Sequence, residues 1–193
     1  SYIAGAPEGY NGGPTITGNS GGGAGGGGAG GIGGTVTNGN STPGHGGIGL
    51  ANDITGTSLF YAGGGGGGMH YYASGPGGTG GSGVGGNGAG GIGGSNATAP
   101  TANTGSGGGG ANHAARNPLS SAGADGIVII RALTSETSGS TGNWDTTGTD
   151  GSHTWYKWTT VTSAGTFTPS QSASYEYLVV AGGGGGGGLY YAG

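Results

Sequence analysis

Short apolar stretches that lead into runs of glycine set the pattern of this chain. Residues 177–180, Tyr-Leu-Val-Val, are followed after one alanine by seven consecutive glycines at positions 182–188. The same order occurs earlier, where residues 59–61, Leu-Phe-Tyr, precede the glycine run at 63–68. β-Branched and aromatic residues favour strands, whereas glycine has no side chain to pack and disfavours ordinary helices and strands. The pattern therefore predicts short strands that anchor glycine segments of a different kind.

A second group of apolar stretches follows the glycine-rich part of the chain. Residues 127–130, Ile-Val-Ile-Ile, are the most concentrated β-branched run and are typical of a buried strand. Residues 153–162 and 166–168 are aromatic and β-branched, and the Ser-Ala-Gly between them predicts a hairpin. Residues 133–152 are rich in Ser, Thr and Gly and predict a linker or long loop.

These changes divide the chain into three regions. Residues 1–132 are predicted to form a glycine-rich bundle that closes with a strand at 127–131. Residues 133–152 connect this bundle to residues 153–193, whose hairpin and strands are predicted to open the next glycine-rich unit. Repeated Ala-Gly-Gly-Ile-Gly-Gly at 29–34 and 89–94 supports a repetitive bundle, and the intervening Asn- and Pro-rich loops supply chain reversals.

Composition decides what the glycine segments can be. Glycine supplies 61 of 193 residues, against an ordinary share of about 7%. Runs of glycine break the strict Gly-X-Y period of collagen, and a flexible linker would not border each run with Ile, Leu, Phe or Tyr. A polyproline-II-type helix has three residues per turn and no internal hydrogen bonds, so glycine chains in this state can bond sideways to neighbours. A flexible, disordered chain remains the alternative.

The predicted fold class is therefore non-standard and mainly β. It combines a bundle of polyglycine-II helices with a small antiparallel β-sheet or sandwich, and it has essentially no α-helix. Fixing each backbone residue costs about 1–2 kcal/mol and glycine lies at the expensive end, so only a bundle with many neighbours would be stable.

The net charge limits which kinds of partner the chain is expected to bind. The net charge is −4 and only three residues are basic, which argues against nucleic acids and anionic membranes. No apolar stretch approaches the roughly 20 residues of a membrane span, so membrane insertion is not expected. Cysteine is absent, which excludes disulfides and thiolate metal sites. The abrupt ends at Ser1 and Gly193 suggest a segment of a longer protein.

Chemical motifs do not indicate catalysis. Matches to Gly-x-Gly-x-x-Gly follow from composition, and no Gly-Lys-Ser/Thr completes a phosphate loop. The histidines lack metal-ligand spacing, and Asp145 and Asp150 are better explained by solvated turns than by a calcium site. With seven acidic residues and no recognisable triad, we expect no enzyme activity, no cofactor and no metal.

Two stretches are similar to a known domain. Thr-Phe-Thr-Pro at 166–169, then Glu-Tyr-Leu-Val-Val-Ala at 176–181 and the glycine run, resemble the opening of the glycine-rich domain of bacteriophage tail and bacterial surface proteins. Gly-Ala-Asp-Gly-Ile-Val-Ile-Ile-Arg at 123–131 resembles its closing strand. The order is permuted here, since the segment that resembles the closing strand precedes the segment that resembles the opening of the domain. The resemblance implies polyglycine-II helices packed beside a β-sheet, as in phage tail-tip adhesins and the glycine-rich domain of a receptor tyrosine kinase family.

The favoured function is that of a structural repeat unit in an extracellular, cell-surface or virion-surface filament. Units would self-associate head to tail, with residues 166–193 completing a neighbouring unit, because contacts that do not close produce filaments. The residues predicted to carry assembly lie on the two β-rich stretches: Ile127, Val128, Ile129, Ile130, Tyr177, Leu178, Val179 and Val180.

The alternative is a phage tail-tip or surface adhesin that binds a bacterial surface protein or glycan. Tyrosine offers amphipathic contact area at low entropy cost, as in antibody paratopes. The candidate receptor or subunit contact residues border the two glycine runs: Tyr61, Met69, His70, Tyr71, Tyr72, Tyr190 and Tyr191. They could equally cap the ends of glycine helices, and an inert spacer is the third possibility.

Overall fold

The computed structural model describes residues 8–15, 22–36, 42–70, 72–112, 119–160 and 164–187. Its strands and helices are short and lie mostly in the last third of the chain: β1 (Leu50–Asn52), β2 (Leu59–Tyr61), a 3-10 turn (Gly81–Gly83), β3 (Ile127–Leu133), α1 (Thr134–Thr137), β4 (Thr141–Gly142), β5 (Thr146–Asp150), β6 (His153–Trp158), β7 (Phe167–Thr168) and β8 (Glu176–Val180). All strand pairs are antiparallel, and α1 is the single α-helix of the described residues. The predicted mainly β class with essentially no α-helix is confirmed.

The glycine segments are extended chains joined sideways by backbone hydrogen bonds. Donors in one segment and acceptors in the next are both spaced by three residues: the amides of Gly23, Gly26 and Ala29 donate to the carbonyls of Gly68, Gly65 and Ala62 at 2.7, 2.9 and 2.8 Å. A spacing of three is the number of residues per turn of a polyproline-II-type helix, and an α-helix or flat strand would give other spacings.

Residues 62–69 form the central segment of this bundle. On one side, Gly64 and Gly67 donate to the carbonyls of residues 47 and 44, both at 2.9 Å. On another side, Gly66 and Met69 donate to residues 86 and 89 at 2.9 and 2.8 Å. Residues 107 and 110 donate back to its carbonyls at 63 and 66. The segment therefore bonds to several neighbours at once, which a β-strand with two edges cannot do.

Close backbone contact explains the glycine of the central segment. At every position from 63 to 68, an added Cβ would lie 1.9–2.4 Å from a carbonyl oxygen of a neighbouring segment, closer than real Cβ contacts. Several positions that face outward carry side chains instead, again three residues apart. The exposed outward pairs are Ile32 and Thr35, His45 and Ile48, and Pro76 and Thr79.

The four-stranded sheet has the order β5-β6-β3-β8, so β3 lies between two antiparallel neighbours. The alternating side chains of β3 place Ile127 and Ile129 on the face towards the bundle, where both are buried. They pack with Ile54 and Tyr61, which come from the turn and strand of the β1–β2 ribbon. This small apolar cluster joins the sheet to the glycine bundle.

Aromatic side chains cover part of the opposite face. The ring of Tyr156 on β6 lies 4.4 Å from that of Trp144 and 5.1 Å from that of Phe167, measured between ring centroids. Phe167 belongs to β7, which pairs with β4 in a two-stranded sheet. The connecting chain is therefore folded over the sheet and is anchored there by ring contacts.

Two sequence predictions about this region are wrong. The linker predicted at 133–152 contains the end of β3 together with α1, β4 and β5. The hairpin predicted between 153–162 and 166–168 is absent from the described residues, because β6 pairs with β5 and β7 pairs with β4. The turn at Asp150-Gly151-Ser152 makes the β5–β6 hairpin, and Gly151 supplies the left-handed φ of +56° that this tight turn requires.

Replacing Gly66 by alanine tests the close-packed bundle. The new Cβ would lie 1.9 Å from the carbonyl oxygen of Gly78, so we expect the free energy of unfolding to fall by about 3 kcal/mol or more. Urea unfolding followed by circular dichroism measures the change. Thr35→Ala, on an outward position, is the control and should change stability by less than about 0.5 kcal/mol. Equal stability of Gly66→Ala and the wild type would contradict the close packing.

Candidate functional site

Residues 176–187 complete both parts of the fold. Strand β8 pairs with β3 in the register Ile127 to Val180, Ile129 to Leu178 and Arg131 to Glu176. Leu178 and Val180 pack against the buried cluster beneath the sheet. The sequence places these apolar side chains at alternate positions, so one face of β8 is anchored while the other faces outward.

The glycine run continues this attachment into the bundle. The amides of Gly183 and Gly186 donate to the carbonyls of Ala124 and Ser121 at 2.8 and 2.9 Å. In return, the carbonyls of Gly184 and Gly187 accept from residues 108 and 111 at 3.0 and 2.9 Å. Strand and glycine run thus form one continuous segment held mainly through its backbone.

This arrangement bears on one expectation from the sequence, namely that residues 166–193 complete a neighbouring unit. In the structure, β8 and residues 182–187 complete the sheet and bundle of their own chain. The backbone groups of this segment bond within the chain, because the connection between β3 and β8 is long enough for β8 to fold back beside β3.

The eight predicted assembly residues are brought together on adjacent strands. Ile127 and Ile129 are buried, whereas Val128 and Ile130 on the other face of β3 are partly exposed. Tyr177 and Val179 on the outward face of β8 are 57% and 64% exposed. Beside them lies an apolar groove of about 500 Å³ that is lined in part by Val128, Ile130, Trp158, Phe167 and Val180.

Sequence reasoning missed the part played by Arg131 at the end of this strand pair. Its Nε lies 2.8 Å from Oε2 of Glu176, which is its direct cross-strand partner. Its Nη1 lies 3.5 Å from Oδ2 of Asp150 on β5 and 3.3 Å from the carbonyl oxygen of Asp53 in the bundle. Arg131 therefore connects β8, β5 and the bundle. Its scarcity, as one of three basic residues, was the available signal.

Two predicted contact residues lie inside the protein. Tyr61 is 6% exposed and packs in the apolar cluster with Ile54 and Ile129, and burial raises the pKa of its hydroxyl. Met69 is also 6% exposed. Both side chains therefore present little surface to a receptor or another subunit, since the glycine run between them is itself the centre of the bundle.

The other predicted contact residues divide into two groups. Tyr72 is 76% exposed, and its ring centroid lies 5.7 Å from that of His70. The amide of Tyr72 also donates to Nδ1 of His70 at 3.3 Å. Tyr71, Tyr190 and Tyr191 lie outside the described residues. Of the predicted contact residues other than the buried Tyr61 and Met69, the structure therefore describes His70 and Tyr72.

The carboxylates considered for calcium have other partners. Oδ2 of Asp145 accepts from the amides of Thr159 and Thr160, and these bonds, with that of Thr159 first, hold the pKa of Asp145 below its ordinary value. Asp150 faces Arg131. Within the described ranges, no three His, Cys, Asp or Glu side chains are grouped so that they could hold a metal ion. Asp145 therefore joins the chain that follows β6 to the start of β5.

Replacing Arg131 tests its connecting role. We expect Arg131→Gln to lower the free energy of unfolding by about 1–2 kcal/mol, because Glu176 and the carbonyl of Asp53 lose a charged donor. Arg131→Lys is the control. It keeps the positive charge but has a single ammonium group in place of the planar guanidinium, so it should be more stable than Arg131→Gln and less stable than the wild type. Urea unfolding at low and high salt measures both variants. An unchanged stability of Arg131→Gln would contradict this role.

The buried Tyr61 gives an alkaline pH dependence. Because its folded-state pKa lies above the ordinary 10.0, ionisation favours the unfolded chain once the pH passes that value. Stability should be unaffected by Tyr61 below about pH 10 and should fall above it with a slope of up to about 1.4 kcal/mol per pH unit. Unfolding of wild type and Tyr61→Phe at pH 8, 10 and 11 measures this. Parallel pH curves would show that Tyr61 does not contribute.

Comparisons with known proteins agree with this architecture. The family model described as glycine-rich domain matches residues 2–133, from the first glycine segments to the end of β3. No curated protein and no solved structure matches the chain. In the part of the chain that is described, no helix is long and apolar enough to cross a membrane. Because the match covers more than half of the sequence, this chain belongs to the glycine-rich domain family.

Proposed function

We propose that this chain is a non-enzymatic structural protein that self-associates as the repeat unit of an extracellular or surface filament. The observation that carries the proposal is the three-residue period of sideways backbone hydrogen bonds throughout the bundle. On this basis we infer that the glycine segments are polyglycine-II helices. Such helices bond to neighbours through groups that every residue possesses, so a bundle can be extended by further segments at its edges.

The way the chain is stabilised favours a structural role. Its attachment points are backbone bonds, one small apolar cluster and the Arg131 connections, and each joins one segment to the next. Rigid units of this kind transmit load along an assembly without a side-chain arrangement specific to a substrate. An extracellular or surface location is part of the proposal, since a scaffold of this composition is expected to work as a fibre.

Each unit is proposed to be closed on itself before it assembles. Residues 176–187 already occupy the edge beside β3 and beside residues 108–111 and 121–124, and their removal would expose backbone groups along these segments. Assembly through outer surfaces leaves these bonds in place. A head-to-tail contact between two different surfaces of the unit then produces a filament, because it does not close on itself.

Negative-stain electron microscopy of the purified full chain, beside sedimentation velocity over a hundredfold range of concentration, tests the proposal. We expect filaments of uniform width together with a sedimentation coefficient that rises with concentration, because head-to-tail addition depends on mass action. Particles that stay at the monomer mass over the whole range would contradict it. Addition of 1 M salt is the control for charge-driven aggregation, and it should leave backbone-mediated filaments intact.

A further inference from the structure

The glycines of the outer segment, residues 182–187, differ in how closely the chain packs around them. An added Cβ at Gly183 or Gly186 would lie 2.1 or 2.0 Å from a carbonyl oxygen, so these two glycines are required by the chain's own packing. Gly184 and Gly187 are exposed, have no left-handed φ, and have no described atom within 4 Å of an added Cβ. The chain's own described fold would accept alanine at both.

Several other outward positions of the bundle carry side chains. Ile32 with Thr35 and His45 with Ile48 are exposed pairs that are spaced by three residues, as Gly184 and Gly187 are. Glycine is less favourable than alanine by roughly 0.5–1 kcal/mol in ordered backbone, so it is retained where another backbone must come close. By this rule, the outward face at Gly184 and Gly187 is suited to a neighbouring backbone.

The preceding strand gives a second, independent indication of what binds there. In the described sheet, β8 is an edge strand, with β3 as its partner on one side. The free edge of a strand presents unpaired N–H and C=O groups, which are a template for another extended chain. Its outward side chains Tyr177 and Val179 are exposed. Residues 176–187, which we call the open edge, therefore offer backbone groups over roughly 35 Å, first as a strand and then as a glycine helix.

We infer that the open edge binds an extended glycine-bearing segment of a second copy of this chain, an inference that rests on the proposed filament. A partner with side chains at every position could not come within backbone hydrogen-bonding distance of Gly184 and Gly187. The chain itself offers a matching surface at the other end of its hydrogen-bond network, where residues 9–13 bond to residues 22–34. Gly9 is exposed there, and an added Cβ on it would meet no described atom within 4 Å.

The two surfaces lie at opposite ends of the network. Residues 9–13 bond to the 22–34 segments, these bond to the central segment, and the central segment bonds through residues 107–110 to the open edge. A Cβ at Gly12 would lie 3.3 Å from the carbonyl oxygen of Gly25, so the glycine at this position is explained by the chain's own packing, whereas Gly9 is open. The open edge of one copy therefore meets residues 9–13 of the next at the side of Gly9, and the contact repeats without closing.

The test compares two double variants of the full chain. Gly184→Ala with Gly187→Ala should keep the melting temperature of the wild type, because both methyl groups point away from the described fold. Its self-association should weaken by about tenfold or more, because the methyl groups separate the two backbones. Gly183→Ala with Gly186→Ala is the matched control and should lose the fold. Sedimentation velocity measures association, and thermal unfolding followed by circular dichroism measures folding.

The outcomes separate this inference from the proposed filament. If the wild type assembles and the Gly184→Ala, Gly187→Ala variant assembles equally well, binding at the open edge is overturned, whereas the proposed filament is supported. If the wild type stays monomeric at every concentration, both are overturned. Hydrogen–deuterium exchange of the wild type gives a test that needs no variant. Peptides covering residues 182–187 should exchange more slowly in the assembled protein than in dilute protein, and equal exchange would overturn the inference.

Discussion

The structure depends on one constraint, which is that the extended glycine segments cannot satisfy their own backbone groups. Their amides and carbonyls bond to other segments, and at the enclosed positions the separation leaves no space for a Cβ. Residues 62–69 meet this requirement on several sides and carry glycine at six consecutive positions. The remaining segments are arranged around them, and several positions that face outward carry side chains.

The sheet plays the part that a hydrophobic core plays in an ordinary domain, on a smaller scale. Ile127, Ile129, Ile54 and Tyr61 form a cluster that joins the sheet to the bundle, and Arg131 adds polar connections at its margin. The apolar residues that precede the two glycine runs therefore fix where those runs begin. Anchoring by apolar strands sets the register, and backbone bonding then continues along the glycine segments.

The fold class and the strands at 127–131 and 176–180 could be predicted, because β-branched runs and glycine runs are local signals. The β5–β6 hairpin was missed although Asp150-Gly151 is a local turn signal. The pairing of β7 with β4 could not be predicted, because it joins strands that are distant in sequence and lies beside ring contacts between Trp144, Tyr156 and Phe167. The burial of Tyr61 and Met69 was missed for a related reason. Aromatic and sulfur-containing residues beside glycine are typical of exposed loops, but here the glycine run is the most enclosed segment of the bundle.

The enclosed glycine run also bears on how folding responds to temperature. Apolar surface exposed on unfolding raises the heat capacity by about 0.45 cal/mol/K per Å², whereas exposed polar surface lowers it by about 0.26. Much of what this bundle encloses is peptide backbone, with few large side chains. Its heat capacity of unfolding should therefore be small for its length, and its stability curve should be broad and flat. Cold would then weaken this protein less than a domain of equal size that is held together by a hydrocarbon core.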